Sequence, residues 1–216
     1  MRFTRFVALG AVIVLLMGCN RLTSEGLPEG VLYQDTFDAD TGNWILESDL
    51  DASARFADGQ LQLEITASNL IAWAELGDRQ FGDFVLEVDA TQLSGPDDNS
   101  YGVVFRVKNS NAYYSFDISG DGYYAVKRRD EAEGGRWSWI AAKDWLESSA
   151  IHQGASTNKI KIVVQGSHFA FYVNDQQIAE ADDNTYRSGA IGLNAGSFHE
   201  PGVRIGFDNL IISKPE

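Results

Sequence analysis

From Val31 onward, hydrophobic and polar residues alternate in short runs, and no long stretch keeps an apolar stripe at helical spacing. The runs fall at 31–37, 54–57, 60–66, 70–75, 84–93, 101–108, 112–118, 123–128, 137–141, 159–165, 168–173, 176–179, 190–194 and 203–213. Strict alternation over such lengths predicts strands with one buried face. The breaks carry turn chemistry: Asp58-Gly59, Gly120-Asp121-Gly122 and Asn174-Asp175 are residue types that accept positive φ or hairpin geometry. Only 143–149 reads as a helical turn. Many short strands with no linker between them predict an all-β, antiparallel two-sheet sandwich.

The alternation also assigns faces. In 101–108, Val103, Phe105 and Val107 point to the core, and Arg106 and Lys108 point out. In 112–118, Tyr114, Phe116 and Ile118 point in, and Tyr113, Ser115 and Asp117 point out. Ile160, Ile162 and Val164 point in, as do Phe169, Phe171 and Val173. One-sided strands of this kind are what antiparallel sheets on a single core require.

The first residues break the pattern. Arg2 and Arg5 precede an uncharged apolar run from Phe6 to Met17, too short to span a bilayer but matching a secretory signal core. The run ends at Leu16-Met17-Gly18-Cys19, which resembles the bacterial lipobox. That resemblance implies a signal peptide over 1–18, lipid attachment at Cys19 and an extracytoplasmic protein anchored to the cell membrane or outer membrane. Residues 19–30 then form a lipidated Cys and polar tether, and 31–214 the β domain.

Composition narrows the function. The chain has 216 residues, 44% hydrophobic and 22% charged, ordinary for one globular domain. Cys19 is the only cysteine, which excludes an intramolecular disulfide and a Cys-rich zinc site. Against 31 Asp and Glu stand 17 Lys and Arg, a net charge of −14; loss of Arg2 and Arg5 with the signal peptide takes it to −16. That excess argues against nucleic acid as a partner and against the domain itself docking on anionic lipid. No phosphate-binding glycine motif, nucleophile elbow or H-E-x-x-H is present, so no nucleotide cofactor is expected.

Several segments together resemble the concanavalin A-like lectin/glucanase jelly roll, and within it the 3-keto-disaccharide hydrolase domain family and its non-catalytic relatives. They are Asp35-Thr36-Phe37, Gly42-Asn43-Trp44, Tyr101-Gly102-Val103-Val104-Phe105-Arg106, Asn111-Ala112-Tyr113-Tyr114-Ser115-Phe116, Tyr172-Val173-Asn174-Asp175, Gly189-Ala190-Ile191-Gly192-Leu193 and Phe207-Asp208-Asn209-Leu210. The resemblance implies a bent sandwich whose concave sheet takes sugars. It also implies a place to look for E-x-D-x-x-E, the acid motif of glycosidases in this superfamily. Here Glu87 and Asp89 share a strand face, but Gln92 stands third, and an amide cannot supply the proton that two-carboxylate hydrolysis needs. Asp117 is the acid from another strand that could complete a pair; the plainer reading of Glu87 and Asp89 is a solvated strand face. Members of the superfamily also hold a structural Ca²⁺ between first and last strands, which here would draw on Asp35, Asp38 or Asp208; the plainer reading is an Asx turn with strand-edge acids.

A polar and aromatic patch is the stronger candidate. Arg106, Tyr113, Asp117 and Lys127 are outward positions on consecutive strands, and Trp73, Trp137 and Trp139 supply flat rings. Rings against sugar C–H faces, with charged or amide groups on the hydroxyls, make a saccharide site. The competing readings are core packing for the Trp residues and a cross-strand ion pair for Arg106 with Asp117 or Glu87. The expectation is a lipid-anchored, non-catalytic glycan-binding or adhesion module whose partner is an oligosaccharide or polysaccharide. The alternatives are a glycoside hydrolase acting on a glucan or modified disaccharide, and a structural envelope protein that binds another protein.

Overall fold

Sixteen strands follow one another through the described part of the chain, residues 27–216 of a computed structural model. They are β1 (Val31–Asp35), β2 (Trp44–Ile45), β3 (Ala52–Ala57), β4 (Gln60–Ile65), β5 (Ile71–Leu76), β6 (Phe84–Ser94), β7 (Asn99–Asn109) and β8 (Ala112–Ile118). Then come β9 (Tyr123–Asp130), β10 (Arg136–Trp139), β11 (Leu146–Glu147), β12 (Thr157–Gln165), β13 (His168–Val173), β14 (Gln176–Asp182), β15 (Ala190–Ser197) and β16 (Val203–Ser213). The first sheet runs β14-β13-β12-β6-β16-β4-β3, with β1 also on β16; the second runs β10-β9-β8-β7-β15-β5-β2, with β11 also on β9. The signal peptide 1–18, Cys19 and the tether up to residue 26 lie outside the described residues. Among the described residues no helix is long and apolar enough to cross a membrane.

The inner faces meet in one core. Phe84, Leu86, Val88, Ile160, Ile162, Val164, Phe169, Phe171 and Val173 come from the first sheet. Tyr101, Val103, Phe105, Tyr114, Phe116, Ile118, Ile191 and Leu193 come from the second. Phe105 sits among Phe84, Tyr114, Phe169 and Phe171 at ring separations of 5.2–6.2 Å. Burying each such side chain contributes about 1.5–3 kcal/mol, so this cluster alone is a large share of what holds the sheets together. Two hairpins close as expected: Asp58 and Gly59, and Asn174 and Asp175, all have positive φ, the geometry of a type I′ turn.

Two expectations are corrected. Residues 143–149 hold no helical turn; Leu146 and Glu147 pair with Tyr124 and Tyr123, so the open edge of β9 takes this backbone as β11. The helical turn among the described residues is a 3₁₀ turn at Glu131–Glu133, capped by Asp130. In β7 the alternation reverses after Phe105. The pairing shifts register there on both sides, and Arg106 adopts φ 50°. This bulge turns Arg106 toward the first sheet and Val107 to the outside, the opposite of their places in a regular strand.

Candidate functional site

The outer face of the second sheet collects the chemistry. Alternation puts Tyr113, Ser115 and Asp117 of β8 on this face, because Tyr114, Phe116 and Ile118 fill the core. Register then builds cross-strand rows. Tyr113 lies opposite Arg129 of β9, and Arg129 opposite Trp137 of β10. Ser115 lies opposite Lys127, and Lys127 opposite Trp139. On the other side Asp117 faces Gly102 of β7, Gly102 faces Asn194 of β15, and Asn194 faces Trp73 of β5. Gly192 keeps room for the indole of Trp73: a Cβ there would come within 2.9 Å of the ring.

The rings form a continuous wall. Trp73 and Tyr113 are 5.3 Å apart and Tyr113 and Trp137 5.5 Å, with Val104, Val107 and Ala190 packed beneath them. Burial pushes the Tyr113 phenol up to about 12, with Arg129 opposing and Asp117 adding to the shift, so it stays a neutral hydroxyl at ordinary pH. Lys127 sits in an aromatic cage: its Nζ is 4.8 Å from the Trp137 ring, 5.9 Å from Trp139 and 5.0 Å from Trp145. The same ammonium is 3.2 Å from the Asp117 carboxylate. Asp117 is 1% exposed and accepts further hydrogen bonds from Ser115 and from Asn194 Nδ2 at 2.7 Å. The carboxylate is therefore fully engaged and holds Lys127 and Asn194 in place. Asn194 Oδ1 and Ser100 Oγ, on neighbouring strands of the same face, are buried without a partner.

Depressions open along this face. One of about 380 Å³ is lined by Asn69, Ile71, Trp73, Ser110, Asn111, Tyr113, Arg129 and Trp137. An adjoining cleft of about 450 Å³ shares Ile71, Trp73 and Ser110 with it and reaches β3 and β4 of the first sheet, with Glu47, Asp49 and Glu75 in its wall. The structure thus brings together six of the residues singled out from sequence: Trp73, Tyr113, Asp117, Lys127, Trp137 and Trp139.

Other expected residues lie elsewhere. Arg106 is 1% exposed, donates to the carbonyls of Gly82, Gly166 and Tyr186 and sits 5.1 Å over the Phe169 ring; its acid partner is Asp83 at 3.5 Å, not Asp117 or Glu87. Burial lowers its pKa, opposed by Tyr114 and Asp83. Glu87 and Asp89 are on the outer face of the first sheet, where Lys161 lies 2.8 Å from Glu87 and Asn209 donates to Asp89 at 3.0 Å. The core separates them from Asp117, so the three acids form no common site. Gln92 turns inward at the end of β6 and accepts from Asn99 at 2.8 Å. Asp35, Asp38 and Asp208, the acids expected around a calcium ion, are not gathered into one group. Asp35 is buried and accepts from Tyr33, Trp44 and the Phe37 amide, Asp38 accepts from Thr36, and Asp208 accepts from the Asn209 amide. Among the described residues no three His, Cys, Asp or Glu side chains are grouped to hold a metal.

Sequence reasoning missed three residues of the face. Arg129 had the signal, alternating with Lys127 along β9. Asn194 and Trp145 reach the face through strand pairing and a loop that no local pattern announces.

Two antiparallel sheets in this order make a concanavalin A-like jelly-roll sandwich. The chain belongs to the 3-keto-alpha-glucoside-1,2-lyase-like domain family, whose model matches residues 33–213. Among solved structures it is similar to the carbohydrate-binding module CBM66 from Bacillus subtilis, at 17% identity and a TM-score of 0.54 over 80% of this chain and 96% of that one. It is also similar to a Bacillus licheniformis beta-glucanase, at 12% identity and a TM-score of 0.63 over 87% of this chain and 100% of that one. A protein of unknown function with a galectin-like fold from Bacillus subtilis matches at 13% identity and 0.63 over 86% and 96%. No curated protein matches the chain. At these identities the likeness is one of fold.

Proposed function

We propose that the chain is a non-catalytic glycan-binding module, displayed outside the cytoplasm by a lipid on Cys19, and that the outer face of the second sheet is its binding surface. The observation that carries this reading is the row Trp73–Tyr113–Trp137, two half-buried indoles on either side of a buried Tyr113, in the wall of a depression that also holds amide and hydroxyl groups. Such a wall offers flat apolar surface to sugar C–H faces and polar handles to the hydroxyls. The buried carboxylate of this face, Asp117, already serves Lys127, Ser115 and Asn194, which suits a scaffold better than a proton donor. Family membership and the similarity to a carbohydrate-binding module support a saccharide ligand.

The second reading, cleavage of a glycoside or modified disaccharide, is favoured by the family description. Hydrolysis of the usual kind would need two carboxyl groups about 5–10 Å apart; elimination by a lyase, the reaction the family description names, does not need that pair. Glu87 and Asp89 do not supply the second, being on the other sheet.

Glycan arrays and affinity electrophoresis on the mature protein test both. Binding to a defined set of saccharides is expected, with Trp137→Ala weakening it about 30-fold, as loss of a buried aromatic anchor costs about 2 kcal/mol. Flat binding to every polysaccharide, with and without Ca²⁺, would sink the proposal. Products released from β-glucans or 3-keto-disaccharides would replace it with the catalytic reading.

A further inference from the structure

We infer that the depression beside Trp137 is a subsite for an acidic sugar, with Arg129 as the group that recognises its carboxylate or sulfate. This rests on the glycan-binding reading and names the ligand class for part of that face.

Three consecutive basic residues on β9 differ in what they face. Lys127 is paired with Asp117, and Arg128 with Asp130 and Asp183. Arg129 has no such partner: among the described residues no Asp or Glu forms an ion pair with it. It is held instead by neutral groups. Its Nε donates to Asn111 Oδ1 at 3.3 Å, and its guanidinium lies 5.5 Å over the Trp137 ring. Both constraints fix the plane of the fork, which also faces the Tyr113 hydroxyl; with no acid paired to it, the guanidinium can still turn an edge to carboxylate or sulfate oxygens.

The surroundings agree. The depression of about 380 Å³ has no acidic residue in its wall, although the chain as a whole carries −14. Its other polar groups, on Asn69, Ser110, Asn111 and Tyr113, are neutral donors and acceptors of the sort that take sugar hydroxyls. Trp73 stands on one side of Tyr113 as a stacking surface, and Trp137, whose ring already carries the Lys127 ammonium and the Arg129 guanidinium, closes the other side. A pyranose lying on a Trp ring would bring an exocyclic acid to the guanidinium edge. The adjoining cleft has the opposite character, with Glu47, Asp49 and Glu75 in its wall, so it would repel the same acid group and favour its placement at the Arg129 end.

The test compares one neutral glucan oligosaccharide with its C6-oxidised (uronate) form and its sulfated form, by calorimetry on the mature protein. At low salt at least one acidic form is expected to bind ten-fold or more tighter than the parent, with the preference shrinking as salt rises. The two acidic arms tell carboxylate from sulfate. Arg129→Gln should lose at least ten-fold more affinity for the preferred acidic form than for the parent, at an unchanged urea midpoint; Arg129→Lys should recover part of the preference. Equal affinity for the neutral and both acidic forms, or a preference that survives Arg129→Gln, overturns the acidic subsite and leaves the glycan reading standing. No binding to any of the three, nor to any saccharide on an array, overturns the glycan reading itself.

Discussion

Arg106 shows how far one residue can depart from its place in a pattern. A regular strand would send it to solvent; φ 50° at its own backbone sends it inward, where three carbonyls and Asp83 receive its guanidinium. Positive φ is uncommon outside Gly, Asn and Asp, so the conformation is held by these surrounding bonds. Arg106→Leu is expected to destabilise the fold by about 3–5 kcal/mol, because it leaves buried acceptors unpaired. A drop in the urea midpoint with an unchanged m-value checks this. Glu87→Gln and Asp89→Asn should instead shift stability by less than about 0.5 kcal/mol, as surface ion pairs and hydrogen bonds do. They should also leave glycan affinity untouched, since both residues lie on the sheet opposite the aromatic face.

At the scale of elements, the site is a product of register. Tyr113, Arg129 and Trp137 meet because β8, β9 and β10 pair in one alignment; a slip by one residue would send each to the opposite face. The β7–β8 pair is also unusually close at Gly102, where a Cβ would come 2.1 Å from the Phe116 carbonyl oxygen. Gly102→Ala should therefore push the two strands apart, at a cost of about 1–3 kcal/mol. Faster amide exchange in β7 and β8 than in β12 and β13 would localise the effect there. Alternation read the faces of β8, β12 and β13 correctly, since no irregularity interrupts the inward rows that fill the core. It failed in β7 past Phe105, where a bulge adds a residue that the one-dimensional pattern cannot count.

Across the whole molecule, one ionic knot joins the end of β14 to the second sheet. Asp183 accepts from Tyr114 of β8 at 2.6 Å and pairs with Arg128 of β9. Burial alone would raise its pKa; the hydrogen bonds from Tyr114 and Thr185 and the charge of Arg128 outweigh that and hold it below its ordinary value of 3.8. A depressed folded-state pKa means this stabilisation is complete above about 3.8 and is lost as pH falls through the lowered value. The thermal midpoint of the wild type should thus fall on acidification below about pH 4, while Asp183→Asn starts lower at neutral pH and shows a flatter acid limb. An acid limb unchanged by Asp183→Asn would assign the effect to other carboxyl groups.

The sequence by itself determined the fold class, the one-sided strands, the type I′ hairpins and the outward face of β8, because side-chain period and turn residues are local properties. Six residues of the aromatic face were readable on that basis alone. What only the tertiary structure decided is which outward faces are the same face. Glu87 and Asp89 alternate as cleanly as Tyr113 and Asp117, yet sheet assignment puts the whole core between the two pairs. The cage around Lys127, with Trp137, Trp139 and Trp145 from a strand and a loop, likewise exists only because distant segments return to one sheet edge. Long-range pairing leaves no period in the chain, so the partners of each face had to be seen in three dimensions.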